Sequence, residues 1–291
     1  MEGLGTDEQP MIDILAHRTG SQRQEIALSY KTQFGQDLIE DLKSELSGNF
    51  EDALVALLTP LTEYLASELN KALSGLGTKE DTLIEILCTR RNDEIKAITE
   101  TYERLFERSL EDDIKSDTSG DFERLMVSMT TAGREEGPAD PDQARTDAEA
   151  LHEAGVEKWG TDESTFNSVM CSRSYPHLRR VFWEYEQIAG QSILDAIDSE
   201  MSGDLKTGML TLAKCVDNIP LYFAEKLHKA IEGAGTEDQV LVRIITTRCE
   251  IDMIQIKHEY KKLYDKSLEE AVSDDTSGDY RKLLVTLVED I

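Results

Sequence analysis

Gly233-Ala234-Gly235-Thr236 and, further along the chain, Asp275-Thr276-Ser277-Gly278 form one copy of a two-part pattern that occurs four times. The first part is a turn that closes on Gly-Thr, and the second is an acidic residue followed by any residue, serine and glycine. The acid follows the glycine before the threonine by 40 residues in every copy: Gly5 and Glu45, Gly77 and Asp117, Gly160 and Glu200, Gly235 and Asp275. Such a constant separation predicts that turn and acid lie side by side in the fold.

The four copies divide the 291 residues into repeats, with these glycines 72, 83 and 75 residues apart. Apolar residues recur at helical spacing within each repeat, as in Ile95, Ile98 and Tyr102, and no strand-like alternation competes with them. We therefore predict an all-α fold with about five helices per repeat. The predicted boundaries are 1–59, 60–132, 143–218 and 219–291 for the repeats and 133–142 for a linker, where we expect the looser joint of the chain.

The repeat alignment leads us to expect that the first repeat lacks a helix that the other three possess. An apolar helix precedes the turn in the later repeats, whereas the first turn begins at Met1. A truncated chain and an internal start methionine both explain this difference. Exposing apolar surface costs about 25 cal/mol per Å². We therefore expect the first repeat to keep an uncovered apolar face and to be the least stable.

Local signals suggest structural roles for several recurring residues. The threonine of each turn is placed to cap the next helix, and the serine after each acid to cap the fifth helix. An arginine twelve residues after each threonine is placed to bind the last carbonyls of a helix. Trp183 follows Val181 and Phe182 in a helical run, so we expect it in the core. The threonines are Thr6, Thr78, Thr161 and Thr236, and the arginines are Arg18, Arg90, Arg173 and Arg248.

Composition excludes several classes of function. The net charge of −28 argues against nucleic-acid binding, which depends on lysine and arginine, and it repels an acidic membrane unless cations intervene. There is no apolar run of membrane-spanning length. The four cysteines form no C-x-x-C pair, so neither a zinc site nor a disulfide framework is indicated, and a reduced cytoplasmic chain is expected. The five histidines belong to no nucleophile motif, so we expect no enzymatic activity.

The repeated pattern has the chemistry of a calcium site. Glycines let backbone carbonyls converge where a side chain would block them, and a distant acid adds further oxygen atoms. Calcium accepts six to eight oxygen ligands in flexible geometry, whereas magnesium demands a rigid octahedron and zinc prefers histidine or cysteine. The alternative is that the turns only end and begin helices, as they would in a helical-repeat scaffold for protein interactions.

The residue before the last glycine of each turn is apolar, which favours contact with a membrane surface. These residues are Leu4, Leu76, Trp159 and Ala234. Bound ions would attract lipid phosphate locally, although the whole chain remains acidic. The pattern thus predicts a calcium-gated clamp on membranes.

Taken together, the G-x-G-T turns with an acid 40 residues on, the four repeats and Lys158-Trp159-Gly160-Thr161 in the third repeat resemble the annexins. The resemblance covers essentially the whole chain. It implies four five-helix repeats in a curved disc, Ca²⁺ as the cofactor, and peripheral, calcium-dependent binding to acidic phospholipid membranes in a membrane-organising or trafficking role. Further copies of the chain on the membrane are also expected partners, and nucleic acid is not.

The resemblance also implies a set of metal ligands, which are backbone carbonyls of the turns together with the four acids. They are Met1, Gly3, Gly5 and Glu45 in the first repeat, Leu73, Gly75, Gly77 and Asp117 in the second, Gly155, Lys158, Gly160 and Glu200 in the third, and Ile231, Gly233, Gly235 and Asp275 in the fourth.

Overall fold

The structure is a computed structural model that describes residues 7–75, 77–155, 162–233 and 235–289. These residues form eighteen helices and no strand, so the all-α prediction is confirmed. The first repeat contains α1 (Gln9–Leu15), α2 (Gly20–Phe34), α3 (Leu38–Glu45) and α4 (Gly48–Leu58). The second contains α5 (Leu61–Leu73), α6 (Glu80–Cys88), α7 (Asn92–Phe106), α8 (Leu110–Asp117) and α9 (Gly120–Thr130).

The third repeat contains α10 (Pro141–Gly155), α11 (Glu163–Ser172), α12 (Tyr175–Ala189), α13 (Ile193–Glu200) and the first part of α14 (Gly203–Ile231). The fourth contains the rest of α14, α15 (Asp238–Arg248), α16 (Met253–Tyr264), α17 (Leu268–Asp275) and α18 (Gly278–Glu289). Asn218 interrupts α14 with φ −154° and ψ 98°, just before Pro220, so α14 is two helices joined by a kink. With that division, the described part of the chain has the predicted five helices in each of the last three repeats.

The chain forms two compact units, each built from two repeats. Met1–Tyr64 and Pro220–Ile291 make up one unit, and Leu65–Ile219 makes up the other. The first repeat is therefore grouped with the fourth, and the second with the third. In the first unit, α4 packs against α15. In the second unit, α10 packs along α12, and the buried face between them includes Ala148, Leu151 and Val181.

The linker 133–142 lies inside the second unit, so the looser joint predicted there is wrong. Hydrogen bonds fasten its first residues to helices of both neighbouring repeats. The Arg134 guanidinium donates to the carbonyls of Met170 at 2.9 Å and Arg173 at 2.7 Å, and the Arg134 carbonyl accepts from the Asn92 side chain at 2.7 Å. Glycine and proline predicted a break in helical structure correctly, but these hydrogen bonds hold the segment in place.

Trp183 is not in the core, contrary to the prediction. Its side chain is 49% exposed, and the Arg180 guanidinium lies over the indole ring at 4.3 Å from the centroid. Val181, two residues earlier, is fully buried because it faces the opposite side of α12. Internal alignment would have revealed this, since Glu100 and His258 occupy the same position in their repeats and are exposed.

Two of the recurring arginines, Arg173 and Arg248, form contacts that differ from the predicted carbonyl bonds. Arg173 forms an ion pair with Asp147 of α10, with Nε and Oδ2 2.7 Å apart. Arg248 binds Asp252 through two hydrogen bonds and lies over the Phe223 ring at 4.7 Å. Arg18 does bind a carbonyl, that of His17, and its side chain is exposed. In repeats three and four the arginine therefore contacts the first helix of its own repeat.

No helix within the described ranges is both long enough and apolar enough to cross a bilayer.

Candidate metal centre

The four acids of the pattern occupy equivalent positions in the fold. Each is the last residue of the second-to-last helix of its repeat: Glu45 in α3, Asp117 in α8, Glu200 in α13 and Asp275 in α17. The carboxyl end of a helix carries unpaired carbonyls and a partial negative charge, which disfavours a further negative charge there. An acid kept at this end in four copies needs a compensating cation or hydrogen-bond donor.

The turn and the acid lie side by side in the second and fourth repeats, as their spacing predicted. The Thr78 hydroxyl donates to the Asp117 carboxylate at 2.6 Å and lies 3.0 Å from the Asp117 carbonyl oxygen. The Thr236 hydroxyl donates to the Asp275 carboxylate at 2.5 Å. The constant separation of 40 residues thus reflects direct contact between two segments distant in the chain.

This contact overturns the predicted capping role of Thr78 and Thr236. Lys79 and Glu237 occupy the N-cap positions of α6 and α15, and neither makes a side-chain capping bond. The threonine hydroxyls hold the acids instead, which local sequence rules could not indicate. Thr6 and Thr161 lie outside the described residues.

The predicted serine caps are only partly correct. Ser47 and Ser119 do occupy the N-cap positions of α4 and α9, but their side chains accept no capping bond. The glycines that follow them, Gly48 and Gly120, adopt φ of 71° and 67°. Glycine enters this left-handed region at little cost, which explains why the pattern ends in glycine.

One backbone hydrogen bond closes the turn in each of the last three repeats. Lys79 N–H donates to Ala72 at 3.0 Å, Asp162 to Ala154 at 2.9 Å and Glu237 to Ala230 at 2.9 Å. The numbering shows that the loop closed in this way contains one more residue in the third repeat than in the second and fourth.

Glycine is required at several points of these turns. Gly77, Gly233 and Gly235 have φ of 89°, 142° and 120°, which other residues rarely adopt. At Gly75 a β-carbon would lie 3.4 Å from the carbonyl oxygen of Gly77. A side chain there would crowd one of the oxygen atoms that the resemblance assigns to the metal, so the glycines keep this oxygen accessible.

The structure describes the full predicted ligand set in two repeats. The segment beside Asp117 contains Leu73, Gly75 and Gly77, and the segment beside Asp275 contains Ile231, Gly233 and Gly235. Of the other predicted ligands, only three are described, and they are Glu45, Gly155 and Glu200. The ligands Met1, Gly3, Gly5, Lys158 and Gly160 and the apolar tips Leu4, Leu76, Trp159 and Ala234 lie outside the described residues.

The donor set of these two turns fits calcium. It consists of backbone carbonyls and one carboxylate, which are the hard oxygen ligands that calcium prefers. No cluster of three or more histidine, cysteine, aspartate or glutamate side chains suited to a metal occurs in the part of the chain that the structure describes. In the predicted sites, most of the ligands are backbone carbonyls of the glycine turn.

Replacing both Thr78 and Thr236 by valine is expected to weaken calcium binding about tenfold, because residues that orient a ligand have effects of this size. Valine keeps the shape of threonine but cannot donate a hydrogen bond to the acid. Isothermal titration calorimetry measures the change. The matched Thr78→Ser and Thr236→Ser variant retains both hydroxyls and should bind nearly as well as wild type. Equal affinities of the valine and serine variants would contradict this role.

Comparison with known proteins places the whole chain in one family. The family model described as Annexin matches residues 1–57, 64–129, 146–212 and 222–287. Human annexin A4 is 50% identical over 288 residues, covering 99% of this chain and 90% of the relative. Human annexin A13 is also 50% identical over 288 residues, covering 99% of this chain and 91% of the relative.

Solved structures agree with the sequence relatives. The structure of annexin III has a TM-score of 0.97 and 43% identity, and the match covers 99% of this chain and 89% of that one. The structure of calcium-bound annexin (Sm)1 has a TM-score of 0.88 and 37% identity, and the match covers 100% of this chain and 87% of that one. The four repeats, the paired turns and acids and these similarities together show that the chain belongs to the annexin family.

Proposed function

We propose that this protein binds the surface of acidic phospholipid membranes when calcium is present. Each calcium ion would lie between the carbonyls of a glycine turn, the acid that ends the second-to-last helix of the repeat, and a phosphate oxygen of a lipid. The observation that carries this proposal is the contact of Thr78 with Asp117 and of Thr236 with Asp275, because it brings the acid to the turn in two separate repeats.

Family membership supports the general activity. Annexins as a family bind calcium and phospholipid, and one solved relative is described as calcium-bound. The proposed ligands in this chain are Leu73, Gly75, Gly77 and Asp117 in the second repeat and Ile231, Gly233, Gly235 and Asp275 in the fourth, with the corresponding residues of the first and third repeats completing four sites.

Electrostatics explains why calcium would control this binding. The chain carries a net charge of −28, so it is repelled from an acidic bilayer in the absence of divalent cations. Ions held in the turns would place positive charge where the lipid phosphates approach, and the apolar tips would enter the interfacial region. The protein would then act by organising or linking membranes during trafficking rather than by catalysis.

Co-sedimentation with vesicles tests the proposal. The chain is expected to pellet with phosphatidylserine vesicles when calcium is added, to remain in the supernatant with phosphatidylcholine vesicles, and to return to the supernatant when a chelator is added. These outcomes follow because only the acidic lipid attracts the bound ions. A chain that stays in the supernatant with phosphatidylserine at millimolar calcium would show that the proposal is wrong.

A further inference from the structure

The unit formed by the first and fourth repeats contains a cavity of about 350 Å³ beside the first residue of α2. Its walls are the beginning of α2, the end of α4 with the first turn of α5, and the end of α15 with the residues that follow it. We call this space the Gly20 cavity. Its lining includes Gly20, Gln24, Leu57, Thr246, Glu250 and Ile251.

In the unit formed by the second and third repeats, a tyrosine occupies the position of Gly20. Internal alignment pairs Gly20 with Tyr175, and these residues begin α2 and α12, which are both 15 residues long. Tyr175 packs against the core of its unit, and the Arg134 guanidinium lies over its ring at 4.8 Å from the centroid. One unit therefore has a phenol ring where the other has only the hydrogen atom of glycine.

The surroundings of Tyr175 correspond to the walls of the Gly20 cavity. Burial raises the pKa of the Tyr175 hydroxyl, and the groups that act on it electrostatically include Cys215, Cys88 and Arg179. These residues belong to α14, α6 and α12, and the cavity walls belong to the counterparts of these helices, which are α4, α15 and α2. Two wall residues also align directly, Thr246 with Cys88 and Gln24 with Arg179.

The backbone at Gly20 leaves room for a ring. Gly20 lies in a helix, so its conformation does not require glycine. A β-carbon there would lie 3.7 Å from an oxygen of Glu250, which is an ordinary van der Waals contact. The ring of Tyr175 belongs to the helix itself, so the room in the other unit results from the missing side chain of residue 20.

Apolar side chains form much of the cavity wall. Leu57 is buried, and Leu61 and Ile251 are 40% and 48% exposed. Sites for small molecules have volumes of roughly 300–1,000 Å³ and combine apolar walls with a few polar groups. The Gly20 cavity has both properties.

The polar groups of the cavity favour a neutral ligand with a hydroxyl group. The Thr246 hydroxyl donates to the Val242 carbonyl at 2.7 Å, so its lone pairs can accept a hydrogen bond from a ligand. The Glu250 carboxylate pairs with the Arg23 guanidinium at 2.9 Å, and these are the charged side chains of the cavity lining. Their charges balance, so the cavity attracts neither an anion nor a cation.

We propose that the Gly20 cavity binds a small neutral aromatic molecule of the phenol class. Its ring would lie between α2, α4 and α15, as the Tyr175 ring lies between α12, α14 and α6, and its hydroxyl would donate to Thr246. The bound molecule would join helices of the first and fourth repeats and stabilise that unit by mass action. No residue of the cavity belongs to a predicted calcium-ligand set, so this site is separate from the proposed membrane contact.

Para-cresol is the probe, because it is the tyrosine side chain as a free molecule. The full chain, labelled in its isoleucine, leucine and threonine methyl groups, is titrated with para-cresol in the presence of a chelator and followed by NMR. Saturable binding is expected, with the largest shifts at Leu57, Thr246 and Ile251, because the field of an aromatic ring acts at short range. No saturable binding, or largest shifts at other methyl groups, would overturn the proposal.

The Gly20→Tyr variant places the ring of Tyr175 in the cavity and should lose para-cresol binding. The matched control is Gly20→Ala, which makes the same loss of backbone freedom but leaves the cavity open, and it should bind para-cresol as wild type does. A Leu28→Tyr variant adds the same ring to α2 outside the cavity and should also bind normally. Binding by Gly20→Tyr, or equal loss in Gly20→Ala, would overturn the proposal.

The Thr246→Val variant tests the ligand's hydroxyl without filling the cavity. Valine keeps the shape of threonine, so para-cresol binding should weaken about two- to tenfold, which is the net effect of one hydrogen bond. Binding of toluene, which lacks the hydroxyl, should not change. Equal effects on para-cresol and toluene would contradict the assigned role of Thr246 and with it the phenol class.

A tyrosine side chain of another protein would present the same ring, and N-acetyltyrosine amide distinguishes this source. The amide carries peptide groups on both sides of the ring and should bind more weakly than para-cresol. Tighter binding of the amide would replace the small molecule by a protein segment and overturn the proposal. Phosphatidylserine co-sedimentation of Gly20→Tyr in calcium should equal that of wild type, and a loss would contradict the separation of the two sites.

Discussion

Replacing Asp117 and Asp275 together by asparagine is expected to raise the calcium concentration needed for half-maximal vesicle binding about tenfold or more, because calcium affinity depends on the number of charged ligands. Asparagine retains the size of aspartate and an oxygen that can accept the bond from Thr78 or Thr236. The fold should therefore persist while each site loses its single negative charge.

The measurement is co-sedimentation with phosphatidylserine vesicles over a calcium titration, with calorimetry of calcium binding alongside it. A matched control lies on the same two helices. Asp112 of α8 and Asp274 of α17 are exposed and belong to no predicted ligand set, and changing both to asparagine alters the net charge by the same amount. The control variant should require nearly the same calcium as wild type. If both double variants shift equally, overall charge and not the two sites controls binding.

Replacing Asp147 by alanine is expected to destabilise the unit Leu65–Ile219 by about 3 kcal/mol, at the low end of the effect of breaking a buried ion pair, because Arg173 is partly exposed and keeps an ion pair with Glu135. Asp147 is 5% exposed. It accepts hydrogen bonds from Arg173 at 2.7 Å, from Gln143 at 2.8 Å and from His177 at 3.0 Å. Its removal leaves the Arg173 charge without this partner and also leaves polar groups of Gln143 and His177 without theirs.

Urea unfolding followed by tryptophan fluorescence measures this change specifically. The two tryptophans, Trp159 and Trp183, both belong to Leu65–Ile219, so the signal reports on that unit. The control is Glu149→Ala in the same helix, which removes an exposed ion pair with Arg145. Exposed pairs contribute about 0–1 kcal/mol, so the control should unfold almost as wild type does. Equal midpoints for both variants would contradict the importance of the buried pair.

The pKa of the Asp147 carboxylate predicts how the stability difference between wild type and Asp147→Ala depends on pH. Burial would raise the pKa of Asp147, but the hydrogen bonds from Arg173, Gln143 and His177 outweigh it and hold the pKa below its ordinary value. A carboxylate whose pKa is lowered by folding stabilises the folded state at pH values above its ordinary pKa. This stabilisation is lost as the pH falls through the folded-state pKa. The difference in free energy of unfolding between wild type and Asp147→Ala should therefore be largest at neutral pH and should decrease below about pH 4.

Much of the fold could be predicted because repetition makes weak local signals reliable. A single glycine turn or a single acid is ambiguous, but four copies with the same separation require the two parts to be neighbours. The Thr78–Asp117 and Thr236–Asp275 contacts agree with that prediction. The ligand carbonyls themselves were assigned by resemblance, and they remain proposals.

The wrong predictions for Thr78 and Arg173 share one physical cause, which is that the preferred partner of a polar side chain can lie far away in the sequence. Thr78 has a free helix end beside it, yet its hydroxyl donates to a carboxylate 39 residues away. Arg173 lies at the end of α11, yet it pairs with Asp147 of α10. A charged acceptor forms a stronger hydrogen bond than a neutral carbonyl, so the distant partner is preferred once the fold supplies it.

The sequence alone determined the all-α class and the four repeats, and it predicted that each turn lies beside its acid, because helical periodicity and a constant 40-residue separation are properties of the chain itself. Only the tertiary structure decided that repeat one is grouped with repeat four and that Asp147 is the centre of a buried polar cluster. These features depend on which surfaces meet after the helices have formed. A side chain's burial and its hydrogen-bond partners are set at that stage, and no local pattern encodes them.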